Sequence, residues 1–162
     1  MTEIRPAAVE DLPTINAIYN HYVEHSTCTY QYQPSSAAER AAWFSGHDEH
    51  HPITVAVRAH EVVGWGSLGP FRTREGYRYT VENSVYVRHD LQRQGIGQAL
   101  LRDLIVRART LGHRTIVAGI SAEQTGSIAL HEREGFREVA HLKEVGFKFE
   151  QWLDVVFLQL ML

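Results

Sequence analysis

A turn near the middle of the chain has the residue types and the position of an anion-binding site. The turn, Gln92-Arg93-Gln94-Gly95-Ile96-Gly97, follows a strand-like segment and opens a strongly amphipathic helical one. The first N–H groups of a helix have no partners within the helix, and the helix dipole places positive charge there. Glycine lets the backbone approach a pyrophosphate closely, and Arg93 adds a formal charge. The expected donors are the main-chain N–H groups of Arg93, Gln94, Gly95, Ile96, Gly97 and Gln98.

The pattern alone favours two interpretations of this turn about equally, a phosphate site and a simple strand–helix connection. The dinucleotide-binding pattern G-x-G-x-x-G is absent, and no Gly-Lys-Ser or Gly-Lys-Thr of a P-loop follows. The turn therefore indicates an anion without identifying the ligand that carries it.

A carboxylate precedes the turn on the segment 77–87, whose Tyr, Thr and Val content predicts a long strand. Alternation along that strand places Glu82 and Ser84 on one face. A carboxylate so placed can take the proton of a substrate ammonium, directly or through a water. From the residues alone, a solvated surface carboxylate is the more favoured interpretation of Glu82.

A second titratable group, His131, lies on a short predicted helix over residues 127–134. An imidazolium can act as a general acid, although the residues alone favour a helix-surface or packing histidine. The segment His47-Asp48-Glu49-His50-His51 is interpreted as a polar loop rather than a metal site. Cys28 has no base close to it in the sequence, so we assign it no nucleophilic role. We expect no metal.

Composition argues against several classes of protein. The 162 residues include 16 Lys and Arg against 19 Asp and Glu, a net charge of −3, which argues against nucleic-acid binding. No apolar run approaches the roughly 20 residues of a membrane span, and the N-terminus lacks a signal-peptide pattern. The single cysteine allows no intrachain disulfide. We expect one soluble, cytoplasmic domain over residues 1–162, with no nucleic-acid or membrane partner.

The periodicities predict the element order β-α-α-β-β-β-α-β-α-β-β, an α/β layer with a mixed sheet. The clearest element is the helix over residues 95–111, where Ile96, Leu100, Leu104 and Ala108 recur at helical spacing and Gly112 marks the end. The last two strands are expected over residues 136–142 and 152–160.

With the turn, Glu82 and His131 in place, the sequence resembles the GNAT family of N-acetyltransferases. Gln92, Gly95 and Gly97 match the family's phosphate-binding motif. A second motif is matched in part by a small residue, a large apolar residue and a Gly-Phe pair, namely Ser127, Leu130, Gly135 and Phe136. Three spaced segments look like the phosphinothricin and methionine sulfoximine acetyltransferase branch: residues 80–87, residues 131–136, and residues 145–148 with 152–155.

The resemblance implies a GNAT-type mixed, largely antiparallel central sheet flanked by about four helices. It implies acetyl-CoA as cosubstrate, a small amino-acid-like amine as acceptor and a homodimer. Glu82 would be the general base and His131 the general acid. The resemblance assigns cofactor contacts to the strand and to the short helix, namely Val85, Tyr86, Val87, Gln124, Ser127 and Arg133. It assigns substrate contacts to Tyr30, Arg72, Arg74, Glu75, Gly76 and Tyr77.

The chain departs from the branch pattern at three positions. Gln124 stands where the pattern has Asn, and Tyr30 and Gln33 stand where it tends to have Phe and Glu. Two other functions therefore stay open at the level of sequence. The first is an acetyltransferase whose acceptor is a polyamine, an antibiotic or a protein N-terminus. The second is a sensor that binds acyl-CoA without turnover.

Overall fold

Seven strands form one sheet in the spatial order β1-β2-β3-β4-β5-β7-β6. The structure is a computed structural model that describes residues 1–162. The strands are β1 Glu3–Pro6, β2 Ile53–Arg58, β3 Glu61–Pro70, β4 Thr80–Val87, β5 Thr115–Ser121, β6 Arg137–Lys148 and β7 Gln151–Met161. Every neighbouring pair is antiparallel except β4 with β5, which is parallel. The predicted mixed, largely antiparallel sheet is confirmed.

Four α-helices cover the two faces of the sheet: α1 Leu12–His25, α2 Ala37–Ser45, α3 Ile96–Thr110 and α4 Thr125–Arg133. Three short 3-10 helices, Val9–Asp11, Glu75–Tyr77 and His89–Leu91, lie in the connections. None of the helices combines the length and apolar character that crossing a bilayer requires.

The helices divide the apolar residues into two main layers because each helix is apolar on one side only. On one face, α1 buries Ile15 and Ile18 against Val55 and Trp65 of the sheet. On the other face, the α3 residues Leu101, Leu104, Ile105 and Ala108 pack with buried residues of β4, β5 and β7. The candidate functional residues lie between these two layers, where the central strands separate.

Local sequence explains where two of the helices begin. The Ser36 hydroxyl accepts from the Glu39 N–H at 3.1 Å while the Glu39 carboxylate accepts from the Ser36 N–H at 2.7 Å, and this capping box starts α2. Gly95 precedes α3 with φ +80°, a left-handed conformation that glycine adopts without steric cost.

Three predicted boundaries were wrong. β4 begins at Thr80 rather than at residue 77, because the Tyr77 N–H donates to the Arg74 carbonyl and closes a 3-10 turn there. The helix α4 begins at Thr125, two residues earlier than expected. β6 continues to Lys148 instead of ending at residue 142, with an irregular register between Leu142 and Gly146 that breaks its alternation.

Candidate functional site

A wedge opens in the middle of the sheet where β4 and β5 part. The two strands pair only from Thr80 with Thr115 to Glu82 with Val117. Beyond that point β5 continues to Ser121 beside β7, while β4 continues to Val87 beside β3. The second half of β4 therefore has no strand neighbour on the β5 side, and its polar backbone groups there are available to a ligand.

The register with β3 determines which backbone groups of β4 face the wedge. The Arg88 N–H donates to the Val63 carbonyl at 2.9 Å, and the alternation of an antiparallel ladder then directs the backbone of Tyr86 to β3 as well. The backbone N–H and C=O groups of Val85 and Val87 point the opposite way, into the wedge. The Val87 carbonyl accepts from the Tyr22 hydroxyl. Of the three predicted cofactor residues on β4, two face the wedge with their main chain and Tyr86 does not.

The wedge ends at the turn before α3, where the N–H groups form an unsatisfied cluster. None of the main-chain N–H groups of residues 93–98 donates to another group of the protein, and the first helical bond runs from the Ala99 N–H to the Gly95 carbonyl. A Cβ built on Gly95 meets no atom within 4 Å, so open space lies beside these donors. The arrangement fits an anion with several oxygens, as the sequence predicted.

Side chains on either flank hold this turn in shape. Gln92 Nε2 donates to the Tyr22 hydroxyl at 2.7 Å, and Arg58 Nη1 donates to Gln94 Oε1 at 2.6 Å. Tyr22 thus connects the turn to the end of β4 through one hydroxyl. Nothing local in the sequence indicates where the Tyr22 hydroxyl goes.

Glu82 lies at the mouth of the wedge, on the sheet face that α1 and α2 cover. One carboxylate oxygen lies 3.6 Å from the position that a Cβ on Gly119 of β5 would occupy. Burial raises the pKa of Glu82 above its ordinary value, and the nearby Arg72 guanidinium partly offsets that rise. A carboxylate with a raised pKa is a stronger base than an exposed one, as deprotonating an ammonium requires.

His131 lies on the opposite face of the sheet, on α4, and is only 4 % exposed. Its Nδ1 lies 2.8 Å from the Ser127 carbonyl, and its Nε2 lies 2.9 Å from Asn83 Nδ2 on β4. A carbonyl only accepts, so the ring proton is assigned to Nδ1 and Nε2 accepts from the amide. Burial lowers the pKa of His131, so the neutral form is favoured. An acid role requires the imidazolium form.

Asn83 can accommodate that charged form. Its Oδ1 is buried and has no hydrogen-bond partner. If the amide rotates, Oδ1 accepts from a protonated Nε2 of His131, which supplies an acceptor for the added proton. Nothing local in the sequence indicates that Asn83 contacts His131.

Tyr30 walls the mouth of the wedge from the β5 side. Its hydroxyl lies 2.6 Å from Ser121 Oγ, two residues along β5 from Gly119 and on the same face. Its ring packs so closely on Gly146 that any side chain at that position would overlap it. The buried Lys148 ammonium fixes the loop that carries Tyr30 by donating to the carbonyls of Ser26 and Thr29, each at 2.7 Å.

The predicted substrate segment between β3 and β4 is exposed. Arg72 stacks over the Phe71 ring, with its guanidinium carbon 4.4 Å from the centroid, and is near enough to Glu82 to affect its pKa. The other predicted residues of this segment form the 3-10 turn and the residue before it, namely Arg74, Glu75, Gly76 and Tyr77. The structure thus brings Arg72 together with Glu82.

The predicted cofactor residues of α4 have different surroundings. Gln124 Nε2 donates to Thr27 Oγ1 at 3.1 Å, so part of its amide is already occupied. Ser127 lies in the first turn of α4, and its carbonyl accepts from His131. Arg133 is exposed, and it forms no ion pair. Gln98 Nε2 donates to Glu134 at 2.7 Å, so part of its side-chain amide is occupied, while its main-chain N–H stays free.

Comparison with known proteins agrees with this geometry. The model of the acetyltransferase (GNAT) family matches residues 15–136. An L-methionine sulfoximine/L-methionine sulfone acetyltransferase of Pseudomonas paraeruginosa is 46% identical, over 97% of this chain and 92% of that protein. A phosphinothricin N-acetyltransferase of Alcaligenes faecalis is 37% identical, over 96% of this chain and 80% of that protein.

A solved structure has the same fold over nearly the whole chain. It is a GNAT superfamily phosphinothricin acetyltransferase from Sinorhizobium meliloti in complex with AcCoA, with a TM-score of 0.97 and 37% identity. The match covers 99% of this chain and 88% of that one. The family model, the two relatives and this structure agree with the wedge and the open turn: the chain belongs to the GNAT family of acetyltransferases.

Proposed function

We propose that the protein transfers the acetyl group of acetyl-CoA to the amine of a small amino-acid-like acceptor of the phosphinothricin or methionine sulfoximine type. The observation that carries this proposal is the continuity of three features. The partly buried carboxylate of Glu82 and the unpaired backbone of Val85 follow one another along β4, and the open N–H cluster of residues 93–98 lies beyond the end of that strand. The acceptors named for the two relatives, at 46% and 37% identity, support the substrate class.

In this proposal the cofactor is held mainly by the backbone. The N–H groups of residues 93–98 bind the pyrophosphate, and the edge of β4 at Val85 and Val87 pairs with the amide groups of the pantetheine arm. The start of α4 closes the other side of the wedge through Gln124 and Ser127. Arg133, which has no ion-pair partner, supplies a positive charge at the end of that helix.

The chemistry proposed is direct attack. Glu82 takes a proton from the substrate ammonium, directly or through a water, and the free amine attacks the thioester carbonyl carbon. The Val85 N–H stabilises the oxyanion, a C–N bond forms and the C–S bond breaks. The departing thiolate takes a proton, for which the imidazolium form of His131 is the proposed donor. The amide nitrogen loses its second proton to solvent, and His131 regains a proton from solvent. The products are the N-acetyl compound and CoA, and Glu82 returns its proton to solvent.

We also propose that two copies associate through the hairpin of β6 and β7. This hairpin exposes an apolar set that water alone would cover in a monomer: Val139, Leu142, Val145, Phe147, Phe149 and Trp152. β6 is also an edge strand with unpaired backbone groups, which favours association. We place the enzyme in the cytoplasm, where acetyl-CoA is available and the lone Cys28 stays reduced.

The experiment is release of CoA thiol from acetyl-CoA across a panel of amines. The panel contains phosphinothricin, methionine sulfoximine, methionine sulfone, the ordinary amino acids, a polyamine and a short peptide. We expect turnover to be fastest with the first three. Turnover confined to the peptide or the polyamine would exclude the proposed acceptor class, and acetyl-CoA binding with no turnover on any amine would exclude the enzyme itself.

A further inference from the structure

A cavity of about 460 Å³ lies on the α1 and α2 side of the sheet. Four of its nine lining residues are aromatic: Tyr19, Trp43, Trp65 and Tyr86. The other five are polar or charged: Gln31, Ser35, Glu39, Arg40 and Ser84. Ser84 lines its floor on β4, on the same strand face as Glu82. Two residues of a strand advance roughly 7 Å, so the cavity begins one such step from the candidate base.

A buried arginine lines this cavity without a counter-ion. Arg40 of α2 is 5 % exposed, and its guanidinium carbon lies 4.7 Å and 4.6 Å from the ring centroids of Tyr19 and Trp43. Its Nε donates to Asn16 Oδ1 at 3.1 Å, and its two terminal nitrogens donate to nothing in the protein. The adjacent residue Glu39 also lines the cavity, but it forms no ion pair with Arg40, and one of its carboxylate oxygens accepts from the Ser36 N–H.

Such an arrangement suits a ligand oxygen. A guanidinium keeps its charge, and the terminal nitrogens of Arg40, which no protein group pairs, are free to bind an oxygen that enters the cavity. The stacked rings explain how Arg40 is held in place, since aromatic faces attract a cation. They do not supply in-plane acceptors for the terminal nitrogens, and those nitrogens remain directed at the cavity.

The position of the cavity indicates which part of the acceptor reaches it. In an amino acid the amine and the carboxylate share one carbon, so the carboxylate belongs near Glu82, where Arg72 is placed. The side chain is the part that extends away. In extended methionine sulfone, five bonds separate the amine nitrogen from a sulfone oxygen, a span of roughly 6 Å that matches the step from Glu82 to Ser84.

We propose that Arg40 binds the side-chain oxygen of an amino-acid acceptor whose side chain ends in oxidised sulfur or phosphorus, a sulfone, sulfoximine or phosphinate. The aromatic rings enclose the methylene groups and Arg40 donates to the oxygen. This inference rests on the proposed function and makes Arg40 the residue that selects among amino acids. Methionine, which has the same chain without the oxygens, leaves the guanidinium unpaired and is therefore disfavoured.

The test compares two acceptors within one protein, so that the fraction of folded enzyme cancels. The ratio of kcat/KM for methionine sulfone to that for methionine is measured in the wild type, in Arg40→Met and in Arg40→Lys. The wild type favours the sulfone. We expect Arg40→Met to lower the ratio by roughly 10- to 100-fold, the loss of a hydrogen bond to a charged group, and Arg40→Lys to recover part of it. Arg107→Met is the matched control, since Arg107 pairs with Asp103 on α3, and its ratio stays at the wild-type value.

Three outcomes overturn the proposal, and they differ from one another. A ratio that is unchanged in Arg40→Met, with both rates reduced, makes Arg40 a packing residue. A second ratio of kcat/KM compares methionine sulfone with 3-(methylsulfonyl)propylamine, which lacks the carboxylate. If Arg40→Met lowers only this second ratio, Arg40 binds the carboxylate of the acceptor instead of its side-chain oxygen. A wild type that acetylates neither acceptor refutes the proposed function together with this inference.

Discussion

Replacing Gly95 by alanine should weaken acetyl-CoA binding far more than it weakens the fold. Gly95 has φ +80°, where an alanine costs about 1–2 kcal/mol of stability. A Cβ there meets no protein atom within 4 Å, so no clash adds to that cost in the free protein. The space it enters is the space that a pyrophosphate must occupy to reach the N–H groups of residues 93–98.

Losing one such hydrogen bond to a charged ligand costs about 1.5–3 kcal/mol. At tenfold per about 1.4 kcal/mol, the dissociation constant for acetyl-CoA should rise by roughly 10- to 150-fold. Gly112→Ala provides the control, because Gly112 has φ +78° and equally open surroundings at the other end of the same helix. Its stability loss should be similar, and its affinity for acetyl-CoA unchanged.

The assay is calorimetric titration with acetyl-CoA, alongside urea unfolding of both variants. Equal dissociation constants for Gly95→Ala and Gly112→Ala would refute the assignment of the turn as the phosphate site. Equal stability losses with unequal affinities would support it, because backbone strain alone acts on both positions.

Three further predictions concern the proton transfers and the surface. Activity requires ionised Glu82, and Arg72 lowers the pKa of Glu82. Arg72→Met should therefore move the acidic limb of the kcat/KM profile to higher pH, whereas the control Arg78→Met should not. An acidic limb that stays in place in Arg72→Met would show that Arg72 does not influence Glu82. If His131 protonates the thiolate, kcat of the wild type should fall as the pH rises through the lowered pKa of His131, and this fall should be absent in His131→Gln. Profiles of kcat that are flat above pH 6.5 in both proteins would exclude His131 as the general acid. Trp152 is 65 % exposed, so Trp152→Asp should shift the protein to monomers in sedimentation, and an unchanged dimer would place the interface elsewhere.

Local signals predicted the elements that hold the site. The spacing of Ile96, Leu100 and Leu104 and the glycine before them are local properties, so α3 and its open turn could be derived from the sequence. Alternation along β4 also predicted that Glu82 and Ser84 share a face, and the structure confirms this.

The wedge could not be derived from the residues in the same way. It exists because β4 and β5 separate after Glu82, while β5 stays paired along its whole length with β7, a strand that begins about 30 residues beyond β5 in the sequence. No local periodicity shows where two paired strands separate. Resemblance to the GNAT family implied cofactor contacts on β4 without giving that point.

Arg40 illustrates a different limit of sequence reasoning. A charged residue on an amphipathic helix is assigned to the solvated face, and the pattern of α2 gave no reason to expect otherwise. The burial of Arg40 depends on Tyr19, Trp43 and Trp65, which three different elements bring together. The partner of Tyr22 was hidden for the same reason.

The most direct test of acetyl transfer with Glu82 as base is the rate of N-acetyl methionine sulfone formation by wild type and Glu82→Gln at saturating acetyl-CoA. The account predicts a loss of roughly 100-fold or more in kcat/KM, the scale of general-base catalysis, with unchanged affinity for acetyl-CoA. Glu49→Gln, a change at an exposed loop carboxylate, should keep the wild-type rate. A Glu82→Gln enzyme that forms product at the wild-type rate across pH would contradict the account.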